Sequence, residues 1–316
     1  MLHRIRAGVA VAVLALCGQQ PLALAAEALT TNQPADSLSF VDLATMKSVA
    51  TLAIGGKPAG IALSPDRTKA YVTAPDSKEL VEVDAVSRVV TRRLALGGGP
   101  LGIAVHPSLP EVYVADWFSH RVIVVDAQSL RVTGSIEVGQ SPSGLAVTPD
   151  GRLLLSADRD SDSISIIDIA TRTRVASIPA GQRPFGVTID AKGERAYIAN
   201  VKSNDVSVID IAARRLIGTI PTGRRPYAVA LARGRGFSTD QYGGGITVFD
   251  LGTLSPIKTV RLCDHPEGIE ADASGSDVYV ACWGDNVLIR LDADALKVTG
   301  KADVGDGPRA FGKFLR

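Results

Sequence analysis

Short apolar segments recur along the chain with polar turns between them, and none of them shows a helical period. In the stretch that begins at Gly139, an apolar run at 144–147 is followed by the turn Thr-Pro-Asp-Gly at 148–151. A second apolar run, a polar loop and two further runs of alternating polar and apolar residues follow before Gly181. Alternation with a period of two is typical of half-buried β-strands, and proline with Asp-Gly is typical of tight turns. The pattern therefore predicts four short strands, here called A to D, in one unit of about 42 residues.

This unit repeats through the chain, because two markers recur in the same register. One marker is a proline that follows a glycine-rich or polar turn, and the other is an aspartate that ends strand C. The prolines are Pro58, Pro100, Pro142, Pro184, Pro226, Pro266 and Pro308, and the aspartates are Asp42, Asp84, Asp126, Asp168, Asp210, Asp250 and Asp292. Each step is 42 residues except one step of 40, which falls in the same repeat for both markers. Four-stranded units at this period predict an all-β fold, a seven-bladed β-propeller with antiparallel blades.

The two ends of the chain complement each other. Pro308 is followed by only eight residues, enough for one strand, while residues 27–32 align with 69–74 and residues 37–42 align with 79–84. We therefore expect a seventh blade that is split between residues 26–56 and 305–316, with strand A from the tail. Such a blade closes the ring and pairs the end strands, which would otherwise be exposed edges. No change of composition divides residues 26–316, so we expect a single domain.

The first 25 residues resemble an export signal. A basic start precedes an apolar run at 7–17, and Ala-Leu-Ala at 23–25 is a signal-peptidase type of site. We predict cleavage near Ala25 and a periplasmic or secreted mature protein. A retained membrane anchor is the weaker alternative because the apolar run is short. Lipidation at Cys17 is disfavoured because Leu16, and not a small residue, precedes it. We expect no membrane span in the mature chain.

The composition is that of an ordinary globular protein, with 46 % hydrophobic and 21 % charged residues. The formal net charge is +1, which gives no argument for a nucleic-acid partner. We expect a monomer.

Four of the predicted B strands share a short motif. They read Tyr-Val-Thr-Ala at 71–74, Tyr-Val-Ala-Asp at 113–116, Tyr-Ile-Ala-Asn at 197–200 and Tyr-Val-Ala-Cys at 279–282. Together with the glycine-proline opening and the strand-C aspartate, they resemble the repeats of the bacterial, exported YVTN-family β-propellers. The segments at 155–158 and 237–240 depart from the motif. The resemblance implies the propeller fold, but the family includes binding proteins, surface-layer components and accessories of quinoprotein oxidation systems, so it does not fix a function.

Function is expected on one face of the predicted ring, where the repeats differ. The D–A and B–C loops share this face, and the D–A turns surround the mouth of the central channel. The candidate binding residues are Lys57, Arg183, Arg225, His265, Arg309, Phe185, Tyr227, Trp117 and Trp283. The basic residues predict binding of an anion, and the aromatic residues predict a contact surface. The alternatives are a solvated rim of charges and tryptophans that pack between blades.

Other charged groups have structural explanations. An aspartate that ends strand C is expected to accept backbone N–H groups of the following turn. The acidic loop at 158–162 lacks the glycine and the final acid of a calcium loop, so we expect a polar loop there.

The sequence contains no H-E-x-x-H, C-x-x-C, G-x-S-x-G or phosphate-loop motif, and nothing in it indicates a metal or a cofactor. His265, Glu267 and His120 are weak candidates for acid–base catalysis. The first hypothesis is therefore a non-catalytic module that binds a partner protein, a polymer or a small anionic ligand. One alternative is an enzyme of the propeller lactonase or lyase type that acts at the central mouth. The other is an accessory of a periplasmic quinoprotein or cytochrome oxidation system.

Cys263 and Cys282 fall at the D–A and B–C ends of one predicted blade. In an oxidising compartment they are expected to form a disulfide, with two separate thiols as the alternative.

Overall fold

The computed structural model describes residues 26–316. The predicted signal peptide, residues 1–25, lies outside the described residues. The described chain forms seven antiparallel sheets arranged as the blades of a propeller, and its only helical element in that range is a 3₁₀ turn at Arg159–Ser161. The all-β, seven-bladed prediction is confirmed.

Blades 1 to 6 follow the chain, each in the strand order A to D. Blade 1 contains β4 (Gly60–Leu63), β5 (Lys69–Ala74), β6 (Glu79–Asp84) and β7 (Val89–Ala95), and blade 2 contains β8 (Pro100–Val105), β9 (Glu111–Asp116), β10 (Arg121–Asp126) and β11 (Arg131–Glu137). Blade 3 contains β12 (Pro142–Val147), β13 (Leu153–Asp158), β14 (Ser163–Asp168) and β15 (Thr173–Pro179), and blade 4 contains β16 (Pro184–Ile189), β17 (Arg195–Asn200), β18 (Asp205–Asp210) and β19 (Arg215–Pro221). Blade 5 contains β20 (Pro226–Ala232), β21 (Arg235–Asp240), β22 (Gly245–Asp250) and β23 (Pro256–Arg261), and blade 6 contains β24 (Pro266–Ala271), β25 (Asp277–Cys282), β26 (Val287–Asp292) and β27 (Val298–Asp303).

Blade 7 is built from both ends of the chain. Its strands B, C and D are β1 (Glu27–Asn32), β2 (Ser37–Asp42) and β3 (Lys47–Ala53). The tail runs antiparallel to β1, with isolated bridges from Asn32 to Pro308 and from Ala28 to Leu315. Within the tail, β28 (Phe311–Gly312) also pairs in parallel with β4 of blade 1. The ring therefore closes between the tail and the first strand, as the alignment of the two ends predicts.

Arg316 stabilises this closure of the ring. The backbone groups of Glu27 and Arg316 exchange two hydrogen bonds, of 3.1 and 2.8 Å. The Arg316 guanidinium also donates to the Glu27 carboxylate at 2.6 and 2.8 Å, and the two side chains are only 5 % and 3 % exposed. Both donors bind the same oxygen, Oε2, and charge-assisted hydrogen bonds of this kind are strong. It holds Arg316 against β1.

Strands A to C are mostly buried, whereas strand D forms the exposed outer edge of each blade. Apolar side chains from adjacent blades form the core, as in the cluster that joins blades 3 and 4. Close approach near the axis requires glycine at some positions of strand A. A Cβ atom on Gly144 would overlap the carbonyl oxygen of Phe185 in the next blade. No helix within residues 26–316 is long and apolar enough to cross a membrane.

The seven strand-C aspartates have the structural role expected of them. In every blade the Oδ1 atom accepts the backbone N–H three residues further on, at 2.6 to 2.9 Å. Six of the seven carboxyl groups have a pKa below the usual value because of hydrogen bonds from the hydroxyl and backbone N–H groups of the turn. They stabilise the C–D turns on the face opposite the candidate binding residues.

Candidate binding site at the channel mouth

The D–A turns and B–C loops meet on one face, as the strand order predicts. The backbone N–H of Arg183 donates to Asp162 at 2.7 Å, and that of Arg225 donates to Asn204 at 2.8 Å. Both arginines have a positive φ of 55°. A non-glycine residue adopts this conformation at a cost, and the side-chain acceptor from the B–C loop offsets it. The two arginines are thus held at the rim by the loop of the preceding repeat.

A cavity of about 470 Å³ opens on this face. It is large enough for a small organic ligand. Its lining comprises Pro75, Gly99, Pro100, Leu101, Trp117, Phe118, Arg159, Phe185, Val201, Arg225, Tyr227, Gln241, Tyr242 and Arg309. We call it the upper cavity. Aromatic rings and guanidinium groups make up most of the large side chains in it.

Three aromatic rings close the channel beneath the upper cavity. Phe185 lies 4.6 Å from Tyr227 and 4.7 Å from Phe311, measured between ring centroids, and Tyr227 lies 5.5 Å from Phe311. Phe185 and Tyr227 are only 8 % and 5 % exposed. They point towards the axis and pack on each other, so they form the floor of the cavity, and their part in binding stays a prediction.

A second cavity, of about 460 Å³, lies on the other side of these rings and is lined by the inner strands and by Phe311. Its acidic groups have internal partners. The Glu270 carboxylate accepts the backbone N–H groups of Phe314 and Leu315, and Asp272 accepts that of Asp277. These carboxylates stabilise a turn and the tail, and the cavity forms the part of the channel on the A–B loop side of the three rings.

Several arginine side chains lie close together at one side of the upper cavity. Burial lowers the pKa of the Arg159 guanidinium, and the nearby charges of Arg183 and Arg225 lower it further. Arg159 donates to Asp160 at 2.8 Å. Within residues 26–316, no ion pair joins Arg183 or Arg225 to a carboxylate. An anion that enters the mouth meets these two charges uncompensated.

Glu267 and Arg309 form a pair behind the floor. The Arg309 Nε atom donates to Glu267 Oε2 at 2.9 Å, and Gln241 Nε2 donates to Oε1 at 2.5 Å. Glu267 is 1 % exposed, and burial raises its pKa against the opposing effect of Arg309. Within the described residues, the hydroxyl of Tyr227 has no hydrogen-bond partner. Glu267 thus neutralises Arg309 and fixes its orientation.

A row of rings lies beside Arg225. The His265 ring lies 5.1 Å from Tyr242 and 6.2 Å from Trp283, both edge-on. Its Nδ1 lies 2.7 Å from Asp264 Oδ1. A disulfide joins Cys263 and Cys282, whose Cα atoms are 6.0 Å apart. It connects the two loops that carry His265 and Trp283.

Several residues predicted for the site do not line the upper cavity. They are Lys57, Arg183, His265, Trp283, Glu267 and His120. Lys57 donates to Asp36 at 2.8 Å and to the carbonyl of Pro34 at 3.1 Å, which directs it along its own loop. His120 accepts the backbone N–H of Ser141 through Nδ1 at 3.1 Å. Neither side chain lines the cavity.

The three candidates for acid–base catalysis do not form a constellation. Glu267 is engaged by Arg309 and Gln241, His265 by Asp264, and His120 by Ser141. Among the described residues no hydrogen bond joins His265 to Glu267. Residues 26–316 also contain no group of three or more His, Cys, Asp or Glu side chains placed to hold a metal ion.

The sequence did not predict several residues of the site. Arg159, Phe118, Gln241 and Tyr242 line the upper cavity, and Phe311 packs on its floor. Arg159 was considered only as part of a polar loop, yet its guanidinium lies 5.1 Å from the Trp117 ring of the neighbouring blade. Phe311 occupies a strand-A position that the other six repeats fill with aliphatic side chains. These are Ile61, Ile103, Leu145, Val187, Val229 and Ile269. The Phe311 ring is larger than the aliphatic side chains of the other repeats. This difference could have predicted that the channel is filled at this level.

Comparisons with known proteins agree with the architecture. The family described as "Lactonase, 7-bladed beta-propeller" matches residues 62–216, just under half of the chain. No curated protein matches the sequence.

Solved structures of similar fold come from different proteins. Kuenenia stuttgartiensis hydrazine synthase has a TM-score of 0.72 and 22 % identity, covering 81 % of this chain and 89 % of that chain. A functionally unknown protein from Desulfotomaculum acetoxidans has a TM-score of 0.75 and 15 % identity, covering 90 % and 99 %. The dihydro-heme d1 dehydrogenase NirN, in complex with DHE, has a TM-score of 0.67 and 16 % identity, covering 92 % and 74 %. At these identities the likeness shows the fold alone. The chain is a seven-bladed β-propeller that is similar, over residues 62–216, to the propeller lactonase family.

Proposed function

We propose that this protein is an exported, non-catalytic binding module whose upper cavity takes an anionic group, carried by a small ligand, a polymer or a partner protein. The observation that carries the proposal is the uncompensated positive charge of Arg183 and Arg225 at the rim of an aromatic cavity. An arginine fork binds a carboxylate or phosphate through directed hydrogen bonds.

A charge-removing double variant tests this proposal. Arg183→Gln with Arg225→Gln removes both rim charges, whereas Arg131→Gln with Arg215→Gln removes two exposed charges at the start of strand D on the opposite face. Binding of a panel of organic carboxylates and phosphates is measured by calorimetry at two salt concentrations. We expect salt-sensitive binding that the rim variant loses and the control retains. Equal binding by both variants would contradict the proposal.

The main alternative is a lactonase, which the family match over residues 62–216 favours. Lactone hydrolysis needs a base or a metal that activates water at the reacting carbonyl. None of His265, Glu267 and His120 lines the upper cavity, so we expect γ-lactones and δ-lactones to hydrolyse at the rate seen in buffer. Turnover that disappears in His265→Ala would establish the alternative.

The accessory role in an oxidation system remains the second alternative and uses the same face. It predicts that a quinoprotein dehydrogenase or a cytochrome binds at the upper cavity and competes with small carboxylates. Export is tested separately. Expression of the full chain in a bacterium should yield a periplasmic protein whose mass corresponds to cleavage near Ala25, and an uncleaved cytoplasmic product would contradict this part.

A further inference from the structure

The cavity on the A–B loop side of the three rings has walls of a different chemistry from the upper cavity. Its volume is about 460 Å³, and it is lined by the inner strands of blades 1 to 6 and by the tail. We call it the lower cavity. Pro149 and Lys313 belong to its lining and are exposed, so it opens to solvent on this side, while Phe311 lies at its inner end. A cavity of this volume is large enough for a small organic ligand.

Two positions of strand A make the walls of the lower cavity apolar. The fifth residue after each marker proline of blades 1 to 6 is aliphatic and half-buried, namely Leu63, Val105, Val147, Ile189, Leu231 and Ala271. The fourth residue is alanine in four of these blades. Among the described residues of the lining, the only uncharged polar side chain is that of Thr188, and its hydroxyl donates to the carbonyl oxygen of Val229 at 2.6 Å. The side chains therefore favour an apolar ligand, which gains free energy by leaving water.

The charged residues of the lining lie at the open end of the lower cavity. Asp190 and Asp272 directly follow the inner strands of blades 4 and 6, where these strands reach the A–B loops. Glu270 is the next-to-last residue of β24, and Lys313 directly follows β28. Three carboxylates and one ammonium leave two negative charges at this end. The upper cavity has the opposite charge, because arginines are the only charged residues of its lining within residues 26–316.

Glu270 has an acceptor that the protein leaves unused. It occupies the strand-A position at which the other blades carry alanine, threonine or glycine. Its Oε2 accepts the backbone N–H groups of Phe314 and Leu315 at 2.6 and 2.9 Å. Within the described residues no hydrogen bond reaches Oε1, and the Lys313 ammonium lies 3.7 Å from it. The side chain of Glu270 is only 12 % exposed, whereas that of Lys313 is 76 % exposed. A carboxylate so far withdrawn from water gains from a direct donor.

We propose that the lower cavity is a second binding site, for a small molecule with an apolar body and one terminal ammonium group. The apolar body lies against the aliphatic side chains, and the ammonium donates to Glu270 Oε1. The charges of Asp190 and Asp272 add to the attraction. This inference is independent of the proposed function, because the two cavities lie on opposite sides of the three rings and share no lining residue.

Alkyl probes separate the charge from the apolar body. The cation is n-octylammonium, the neutral probe of equal length is 1-octanol, the anion is octanoate, and the short cation is n-butylammonium. Affinities are measured by calorimetry with the mature protein, the disulfide intact. We expect octylammonium to bind at least about tenfold more tightly than 1-octanol, and octanoate to bind more weakly than 1-octanol. Butylammonium should bind more weakly than octylammonium, by up to about fourfold for each methylene group that it lacks.

Two single variants should change the affinity for the cation in opposite directions. Glu270→Gln removes the charge but keeps an acceptor for Phe314 and Leu315, and it should weaken octylammonium by about tenfold. Lys313→Gln removes the competing ammonium and should tighten octylammonium by about threefold. Neither should change the affinity for 1-octanol. Glu137→Gln, at the exposed last residue of β11, is the matched control and should change no affinity. Because the Lys313 side chain is exposed, its variant tests the site even if Glu270→Gln does not fold.

Each result supports or overturns the proposed site. If octylammonium does not bind, the site is refuted. If 1-octanol or octanoate binds as tightly as octylammonium, the preference for a cation is refuted, and if butylammonium does, the role of the apolar walls is refuted. If Lys313→Gln leaves the affinity for octylammonium unchanged, the position of the ammonium at Glu270 is refuted. Arg183→Gln with Arg225→Gln should retain octylammonium binding, and a loss there would place the amine in the upper cavity and overturn the inference.

Discussion

Replacing Asp240 with asparagine should make the protein more stable at neutral pH. Asp240 ends strand B of blade 5 and is 1 % exposed. Its Oδ2 accepts the Thr247 hydroxyl at 2.7 Å, while its Oδ1 is buried without a partner among the described residues. Burial raises the pKa of this carboxyl from 3.8 to about 6, against the opposing effect of Thr247. The charged form is therefore poorly accommodated.

The size of the stabilisation expected for Asp240→Asn follows from the pKa shift of Asp240. A folded pKa above the unfolded value means that the folded state binds the proton more tightly, so the stability contributed by Asp240 is greatest below pH 3.8 and falls as the pH rises to about 6. At about 1.4 kcal/mol per pKa unit, the loss at neutral pH is about 3 kcal/mol. Asparagine carries no charge and avoids this loss.

The chain itself shows that asparagine fits. At the equivalent position of blade 4, Asn200 Nδ2 donates to Ser207 Oγ at 2.9 Å, and that oxygen accepts the N–H of Gly181 at 3.1 Å. In blade 5 the Thr247 hydroxyl accepts the N–H of Gly223 at the same distance, 3.1 Å. We therefore expect the amide of Asp240→Asn to donate to the Thr247 hydroxyl as Asn200 donates to Ser207. The other bond of Asn200, to Asp205 at 2.6 Å, has no counterpart because Gly245 occupies that position.

The assay is urea unfolding of the wild type and Asp240→Asn between about pH 4 and pH 8, which yields the free energy of unfolding at each pH. The variant should be more stable by about 2–3 kcal/mol at neutral pH, and the difference should vanish near pH 4.

Asp250→Asn is the control with the opposite sign. Hydrogen bonds from the Thr253 N–H and hydroxyl groups lower the pKa of Asp250, so its contribution is present above the usual pKa, is lost on acidification, and disappears in the variant. A destabilised Asp240→Asn at neutral pH, or a difference independent of pH, would refute the reasoning.

Three further predictions concern the supports of the site. The mature protein should contain the Cys263–Cys282 disulfide. Two alkylatable thiols at these positions, found without reductant, would contradict this prediction. Reduction of the disulfide should lower the free energy of unfolding by about 3 kcal/mol for a loop of this length. Arg309→Met should cost about 3–5 kcal/mol in urea unfolding because it leaves a buried carboxylate without its cation, and a loss below about 1 kcal/mol would count against the pair. Phe311→Ala should cost about 3–5 kcal/mol by opening a void between the two cavities, whereas Phe118→Ala, at an exposed ring, should cost less than about 1 kcal/mol.

Local patterns predicted much of this molecule because they repeat. The strand-C aspartates and the marker prolines fall at the same place in every repeat, and each has a local function in a turn or at a strand start. The alignment of residues 27–32 with 69–74 predicted the closure at β1 because the tail supplies the strand that the head lacks. Strand order alone then placed the D–A and B–C loops together.

Contacts between blades could not be predicted from local sequence patterns. The sequence placed Phe185 and Tyr227 at the mouth but did not show that they pack with Phe311 across the axis, because those three rings come from three different blades. Arg309 and Glu267 likewise lie in neighbouring blades.

The sequence by itself determined the blade count, the closure and the face that carries the variable loops, because a strand period and a turn motif depend on neighbours in the chain. Only the tertiary structure decided that Arg159 lies over the Trp117 ring, that Glu267 neutralises Arg309, and that three rings divide the channel. Those contacts depend on how far each inner strand reaches towards the axis and on the twist between blades, and no local pattern encodes either quantity.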